Sequence, residues 1–197
     1  NTSASFNDSF LIGAGAIANG TAAGAIGYLA NTQGVDAMAV GVKACALANN
    51  SMALGTQAVS SGVDSIAIGF KSSSTDTSST AIGTQSNASG IDSIAIGFSS
   101  SATKTNAASI GTNATAHGIN SMAFGANARA TGTNSTAIGA QSFADQTNSF
   151  VIGPNTTACG VNAGAIGASA NATGASSLAI GVQSVAKQTS SLALGTN

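Results

Sequence analysis

Large apolar side chains recur along the chain in a repeating unit of 14 residues. Within each unit they alternate with small residues, as in residues 65–69 (SIAIG), and this alternation is typical of a β-strand. A second alternation follows the glycine, where Ala, Ser or Thr occupies the third and fifth positions. Two short strands and two tight turns fill such a unit, whereas Gly and Ser at this density disfavour a helix. The pattern therefore predicts an all-β fold in which each unit is one coil of a parallel β-solenoid.

A glycine marks the same place in every unit, from Gly13 to Gly195, without insertion or deletion. The residue before this glycine is large and apolar in all fourteen units. A second glycine, such as Gly62 or Gly90, follows seven residues later in eight units. Because glycine readily adopts positive φ, we expect both glycines to lie in turns. The glycines assigned a structural turn role are Gly41, Gly55, Gly69, Gly83, Gly97, Gly111, Gly125 and Gly139.

Stacked coils are expected to pair in parallel about 4.8 Å apart, which predicts a single repeat domain over residues 1–197 and a rod about 65 Å long. A weaker period of 28 residues overlies the first, since residues 62–70 (GVDSIAIGF) and 90–98 (GIDSIAIGF) are nearly identical. Duplication of coil pairs accounts for this second period. We expect the domain to be a fragment of a longer protein.

One column of the predicted stack carries Asp and Asn. Asp36, Asp64 and Asp92 occupy alternate coils, which keeps like charges from lying directly opposite one another. Between Asn106 and Asn162 the same column is Asn in five consecutive coils, which permits a ladder of side-chain amides. An equally good interpretation is that Asn and Asp occur here only because they form turns.

The strand alternation leaves one face small and the other large. If the small residues point into the coil, an apolar column lies outside, where it exceeds what monomers usually expose and calls for self-association around an axis. The alternative places the large residues inside a thicker, monomeric coil; we favour association. The column assigned to this axis comprises Ile26, Val40, Leu54, Ile68, Ile82, Ile96, Ile110, Phe124, Ile138, Ile152, Ile166 and Ile180.

Charged residues make up only 6% of the chain, and the formal net charge is −1. No basic stripe is present to neutralise phosphates, so nucleic acid is not an expected partner. No run of about 20 apolar residues occurs, so direct membrane insertion is not expected either. The five cations are expected to be solvated, and they are Lys43, Lys71, Lys104, Arg129 and Lys187.

Residues able to support catalysis are scarce. His117 is the one histidine, and we expect it at a coil turn with no carboxylate within reach, so the chain is predicted to have no catalytic site, cofactor or metal site. Cys45 and Cys159 lie eight coils apart in the predicted stack, far beyond the about 7 Å that a disulfide spans. We expect buried free thiols, and a disulfide between two chains is the alternative. The Asn-x-Ser/Thr sequences, such as the one at Asn113, follow from composition.

The repeated motif Ser-x-Ala-Ile-Gly, followed by x-x-Ala-x-Ala-x-Gly, resembles the YadA-like head repeat of trimeric autotransporter adhesins. Residues 134–139 (NSTAIG) and 120–125 (NSMAFG) are near-consensus copies, and the resemblance covers the whole chain. It implies a left-handed parallel β-roll, three chains around one axis, and display on the outer surface of a bacterium. It also implies a non-enzymatic role in adhesion and virulence, with a host matrix protein or cell-surface ligand as the partner.

Two other functions fit the same solenoid. A viral or phage fibre segment would share the fold and would place the chain on a virion. An ice-binding solenoid is a remote alternative, because it needs regular ranks of Thr. The column six residues before the glycine instead alternates Thr with Val or Ile, as at Ile91, Thr105 and Ile119.

Overall fold

A computed structural model describes residues 3–4, by their backbone, and residues 8–196. The ends of the predicted 1–197 domain, at residues 1–2, 5–7 and 197, lie outside the described residues. Within the described part, every regular element is a β-strand of two or three residues, and there is no helix. The all-β parallel solenoid predicted from the 14-residue repeat is thus confirmed. The chain divides into two compact parts, which we call unit 1 (residues 1–99) and unit 2 (residues 100–197).

Unit 1 contains two parallel sheets, one built from two-residue strands and the other from three-residue strands. The strands of the first sheet are β1 (Ser3–Ala4), β3 (Ile17–Ala18), β5 (Asn31–Thr32), β7 (Cys45–Ala46), β9 (Val59–Ser60), β11 (Ser73–Ser74) and β13 (Asn87–Ala88). Those of the second are β2 (Phe10–Ile12), β4 (Gly24–Ile26), β6 (Met38–Val40), β8 (Met52–Leu54), β10 (Ile66–Ile68), β12 (Thr80–Ile82) and β14 (Ile94–Ile96).

Unit 2 repeats this arrangement. Its two-residue strands are β15 (Ser101–Ala102), β17 (Thr115–Ala116), β19 (Arg129–Ala130), β21 (Phe143–Ala144), β23 (Thr157–Ala158), β25 (Asn171–Ala172) and β27 (Val185–Ala186). Its three-residue strands are β16 (Ala108–Ile110), β18 (Met122–Phe124), β20 (Thr136–Ile138), β22 (Phe150–Ile152), β24 (Gly164–Ile166), β26 (Leu178–Ile180) and β28 (Leu192–Leu194).

Within each unit, every strand pairs in parallel with the strand one coil further on, in a register of 14 residues. Ile68 pairs with Ile82 in unit 1, and Ile138 pairs with Ile152 in unit 2. Equivalent residues of successive coils are therefore direct neighbours, and each sequence column becomes a column in space.

The interior of the coils is filled almost entirely by small side chains. Ala67 and Ala123, at the centres of three-residue strands, have no exposed surface, and neither do Ser65 and Ala130. The largest fully buried side chain among the described residues is Val151. We call the glycine that recurs in every coil, from Gly13 to Gly195, the column glycine. The large residue before each column glycine points outward instead. The small-inside arrangement that we favoured is the observed one, and the alternative with isoleucine inside a thicker coil is wrong.

Most buried serine hydroxyls with a partner bond to the turns that they face, whereas Ser109 Oγ and Ser135 Oγ have no hydrogen-bond partner among the described residues. Ser121 Oγ donates to the carbonyl oxygen of Gly118 at 2.7 Å, and Ser142 Oγ donates to that of Gly139 at 2.8 Å. Ser60 and Ser65 face each other across the interior, with 2.6 Å between their hydroxyl oxygens. Serine is thus a space-filling residue that also closes a turn.

Each coil turns twice, and the two turns use the same geometry. Ala58 N donates to Gly55 O at 3.2 Å around one turn, and Ser65 N donates to Gly62 O at 3.3 Å around the other. The third residue of each turn has positive φ, as type II turns require, with φ of 59° at Gln57 and 57° at Asp64.

The two glycine columns serve different purposes. The eight glycines assigned to turns, from Gly41 to Gly139, have φ between 131° and 138°, a region that other residues rarely adopt. The second glycines do not have positive φ, so that part of the prediction is wrong. Their role is close stacking, because a Cβ on Gly118 would overlap the carbonyl oxygen of Gly132 in the next coil.

The amide ladder expected in unit 2 is confirmed. The Nδ2 groups of Asn106, Asn120, Asn134 and Asn148 each donate to the Asn Oδ1 of the next coil over distances of 2.9 to 3.1 Å, and Asn162 is the last acceptor. The same residues also have positive φ of 55° to 57°. The turn-forming interpretation is therefore correct as well, and one column serves both purposes.

Replacing a column glycine should destabilise the fold. In Gly111→Ala, the new Cβ would lie 2.5 Å from the carbonyl oxygen of Gly125 and would hold an L-residue at a φ of 135°. We expect a loss of about 1–3 kcal/mol in unfolding free energy, measured by urea denaturation. Thr112→Ala, at an exposed position of the same turn, is the control and should change it by less than about 0.5 kcal/mol.

The interior should reject a larger side chain that the adjacent outward position accepts. Ala67→Leu overpacks the coil and should lower the unfolding free energy by about 1–3 kcal/mol or more. Ile68→Leu is the matched change on the outer side, where Leu54 already occupies the same column, and it should be nearly neutral. Equal losses in the two variants would contradict the small-inside packing.

Candidate functional site: the outer faces of the two sheets

The outward side chains of the three-residue strands form what we call the apolar face. It contains the residue before each column glycine and the residue two positions earlier, such as Ile68 and Ile66 in unit 1. Every member of the sequence-assigned axis column is half-buried or exposed in the single chain. Leu54 is 42% exposed and Ile152 is 45% exposed, although their neighbours in the column are also apolar.

The outward side chains of the two-residue strands, with the residue that follows each strand, form the polar face. In unit 1 it carries mainly small polar residues, among them Ser73, Thr75 and Asn87. In unit 2 four successive coils bring the chemically distinctive residues together, and these are His117, Arg129, Phe143, Asp145 and Cys159. The two faces therefore differ in composition, although the polar face also carries scattered apolar residues such as Ile17 and Val185.

Arg129 and Asp145 form an ion pair on the polar face, the only one among the described residues. Arg129 Nε and Nη2 donate to the two carboxylate oxygens of Asp145 at 3.0 and 2.5 Å. These hydrogen bonds raise the pKa of the Arg129 guanidinium. Thr131 Oγ1 also donates to Asp145 at 3.0 Å, and the guanidinium lies 5.5 Å from the centre of the Phe143 ring. Asp145 thus neutralises the charge of Arg129 within the same chain.

Sequence reasoning treated Arg129 as solvated and did not pair it. The signal was present as a spacing of 16 residues, one coil plus two positions, which places two side chains diagonally on one sheet face. Asp145 lies at that distance after Arg129, and His117 lies at that distance after Ser101.

His117 lies directly after β17 and is exposed, so it belongs to the polar face and not to a turn as expected. Its Nε2 is 3.1 Å from the hydroxyl oxygen of Ser101. Burial lowers the pKa of the imidazole, and the positive charges of Lys104 and Arg129 lower it further. His117 therefore has a polar neighbour and a cationic environment. Among the described residues, no group of three His, Cys, Asp or Glu could hold a metal ion.

The two cysteines are free thiols. Cys45 is half-buried on the polar face of unit 1, and burial raises the pKa of its thiol. Cys159 is exposed in unit 2, so the expectation of a buried thiol is wrong for it. Partial burial raises the pKa of Cys159 and the negative charge of Asp145 raises it further, while Arg129 opposes the shift.

The comparison with known families matches this geometry. The family described as "YadA head domain repeat (2 copies)" matches residues 46–72, 74–100, 102–128, 130–156, 158–181 and 172–197. The chain belongs to the YadA head repeat family. This confirms the resemblance drawn from the Ser-x-Ala-Ile-Gly motif. A search of curated proteins found no match.

YadA head repeats occur in bacterial surface adhesins and are generally non-enzymatic, and trimeric self-association is a property of the family. Each matched segment of this YadA head repeat chain contributes outward residues to both the apolar face and the polar face. In the part of the chain described by the structure, no helix is long and apolar enough to cross a membrane.

Removing the Asp145 charge should make Cys159 more reactive. Because Asp145 raises the pKa of this thiol, Asp145→Asn should lower it and increase the thiolate fraction at pH 8. We expect alkylation of Cys159 by iodoacetamide to become a few times faster, followed by mass spectrometry. Cys45 in the same sample is the control, because Asp145 does not influence its pKa. A slower reaction of Cys159 would contradict this electrostatic account.

Proposed function

We propose that this chain forms the rigid head of a homotrimeric adhesin. In this proposal, three copies place their apolar faces around one axis, with the Ile26-to-Ile180 column nearest to it. The head has no catalytic role and requires no cofactor or metal. It is displayed beyond the outer membrane of a bacterium, where it attaches to host cells or to extracellular matrix as part of virulence.

The apolar face is the observation that supports self-association most strongly. The coil interior is occupied by alanine and serine, so the large apolar side chains cannot be buried within one chain. Exposed members such as Leu54 and Ile152 form a regular column in each unit, whereas surface apolar residues of monomers are usually scattered. When three identical copies pack around one axis, the apolar column of each copy is covered by the equivalent columns of the other two.

The polar face supports the adhesion role. If the apolar faces meet at an axis, the polar faces of all three copies point away from it. Each copy then presents a flat, repetitive and weakly charged surface without a deep cleft. Useful affinity must come from three linked copies, because linked sites gain avidity of about 10²–10⁴ without any new contact.

A charge in the apolar face should dissociate the trimer and abolish adhesion. Ile68→Asp would place three carboxylates in a dry interface, where unpaired charges are strongly destabilising. Light scattering should report the monomer mass, and binding to immobilised matrix proteins or cultured cells should fall at least about 100-fold through lost avidity. Ser73→Asp, on the polar face of the same coil, is the matched control and should remain trimeric.

Two outcomes would contradict this proposal. If Ile68→Asp remains a folded trimer, the apolar face is not the axial surface. If the monomeric variant keeps its fold by circular dichroism and binds as tightly as the trimer, adhesion does not depend on linked copies.

A further inference from the structure

The two turns of each coil form two exposed edges that flank the sheets. We define the first edge as the two residues after each column glycine. In unit 1 it comprises Ala14–Gly15, Tyr28–Leu29, Val42–Lys43, Thr56–Gln57, Phe70–Lys71, Thr84–Gln85 and Phe98–Ser99. We define the second edge as the second and third residues of the other turn. In unit 1 it includes Val35–Asp36, Asn49–Asn50, Val63–Asp64, Thr77–Ser78 and Ile91–Asp92.

From residue 35 to residue 99, both edges alternate between apolar and polar coils with the 28-residue period, whereas Tyr28 and Leu29, 55% and 40% exposed, precede this stretch and do not follow it. On the first edge, Val42, Phe70 and Phe98 are apolar and are 42%, 43% and 50% exposed. On the second edge, Val35, Val63 and Ile91 are apolar and are 42% to 43% exposed. The intervening coils carry Thr on the first edge and Asn or Thr on the second. A large apolar side chain is thus left unpacked at every second turn of both edges.

The two alternations have a definite phase. Between residues 35 and 99, each large apolar residue of the first edge has an apolar counterpart seven residues earlier on the second edge, as Phe70 has in Val63. Each polar residue has a polar counterpart at the same offset, as Thr56 has in Asn49. A first-edge residue and the second-edge residue seven positions after it do not match in this way, because apolar Phe70 would face polar Thr77.

The charged positions follow the same offset. Lys43 corresponds to Asp36, and Lys71 corresponds to Asp64. The uncharged Gln57 between them corresponds to Asn50. All of these positions have φ of 55° to 59°, so each side chain leaves the backbone in an equivalent way. The match therefore involves charge, amide and apolar types at once.

One chain cannot satisfy this complementarity by itself. The edges lie on opposite sides of the sheets, and a three-residue strand such as β8, about 10 Å long, separates them. Backbone contacts of the turns run along each edge and not across it, since Lys71 N donates to Thr56 O at 3.0 Å and Asp64 N donates to Asn49 O at 3.0 Å. The complementary surface must come from a second copy.

Rotation about an axis parallel to the stack brings the two edges together. When copies turn the same sheet toward the axis, the first edge of one copy meets the second edge of the next, which is a heterologous contact that closes into a ring. The residues that meet then lie at nearly the same level along the axis. The apolar face would hold the ring together, while the edges would determine whether each first-edge residue meets the second-edge residue seven positions before it or the one seven positions after it.

We propose that the edges of unit 1 set the register between neighbouring copies: each first-edge residue contacts the neighbour's second-edge residue numbered seven lower. This proposal rests on the proposed trimer. Lys43 and Lys71 pair with Asp36 and Asp64 of the next copy, and Phe70 packs against its Val63. The opposite register lies one coil, about 4.8 Å, away and would place apolar residues against polar ones.

Disulfide trapping tests this register directly. In a Cys45→Ser/Cys159→Ser background, Thr56→Cys/Asn49→Cys joins positions that the proposal brings into contact. Thr56→Cys/Val63→Cys joins positions one coil out of register and is the matched control. All three sites are exposed and lack positive φ. Neither pair can close within one chain, because a disulfide spans at most about 7 Å between Cα atoms.

On mild oxidation, the first pair should give a covalent trimer on a non-reducing denaturing gel and the second should remain single chains. Light scattering before oxidation separates the two proposals. A monomeric parent chain would overturn both of them. A trimer in which the Thr56–Val63 pair cross-links as well as or better than the Thr56–Asn49 pair would overturn the register alone.

Charge reversal provides a second test. Lys43→Asp/Lys71→Asp should raise the dissociation constant of the trimer at least about tenfold at low salt, because like charges would face each other. Adding Asp36→Lys/Asp64→Lys should restore it to within about threefold, and high salt should weaken both effects. Lys104→Asp/Lys187→Asp changes the net charge equally away from the edges and is the control. Failure of the fourfold variant to restore assembly would overturn the pairing.

Discussion

The narrow space between the two sheets governs the structure of this protein. Side chains that point inward are alanine, serine and the occasional threonine, and Val151 is the largest side chain among the described residues to be fully buried. A strand that alternates small and large residues can meet this limit in only one way, with the large residues outside. The usual relation between apolar character and burial is therefore reversed for isoleucine, leucine and phenylalanine.

Parallel stacking in a register of 14 residues turns each sequence position into a column of identical neighbours. Favourable contacts then multiply along a unit, as in the asparagine ladder from Asn106 to Asn162. Unfavourable contacts multiply as well, which explains why Asp36, Asp64 and Asp92 skip every second coil. Stability in such an architecture comes mainly from nearest-neighbour interfaces, so a regular column matters more than any single residue.

The same constraint divides the surface by chemistry. The apolar face is suited to contact with further copies of the chain, and the polar face, with Arg129, Asp145 and His117, is suited to remain in water. The turn edges between them carry large apolar and charged residues in a shared alternation. In the proposed trimer this alternation gives the 28-residue period a physical role, since a 14-residue repeat alone would not distinguish the second-edge residue seven positions before a first-edge residue from the one seven positions after it.

Much of the fold could be predicted from the sequence, because the interactions that determine the fold act within a coil or between adjacent coils. The uninterrupted glycine spacing determined the coil length and strand count per coil, and composition disfavoured a helix. The sequence left open which face of the strand is inside, because alternation is symmetric until the distance between the sheets is known. Only the tertiary structure decided that Ile68 points outward and Ala67 inward. It also showed that Gly118 serves close stacking and not positive φ, and that Arg129 finds Asp145 one coil away, since both depend on how closely successive coils approach.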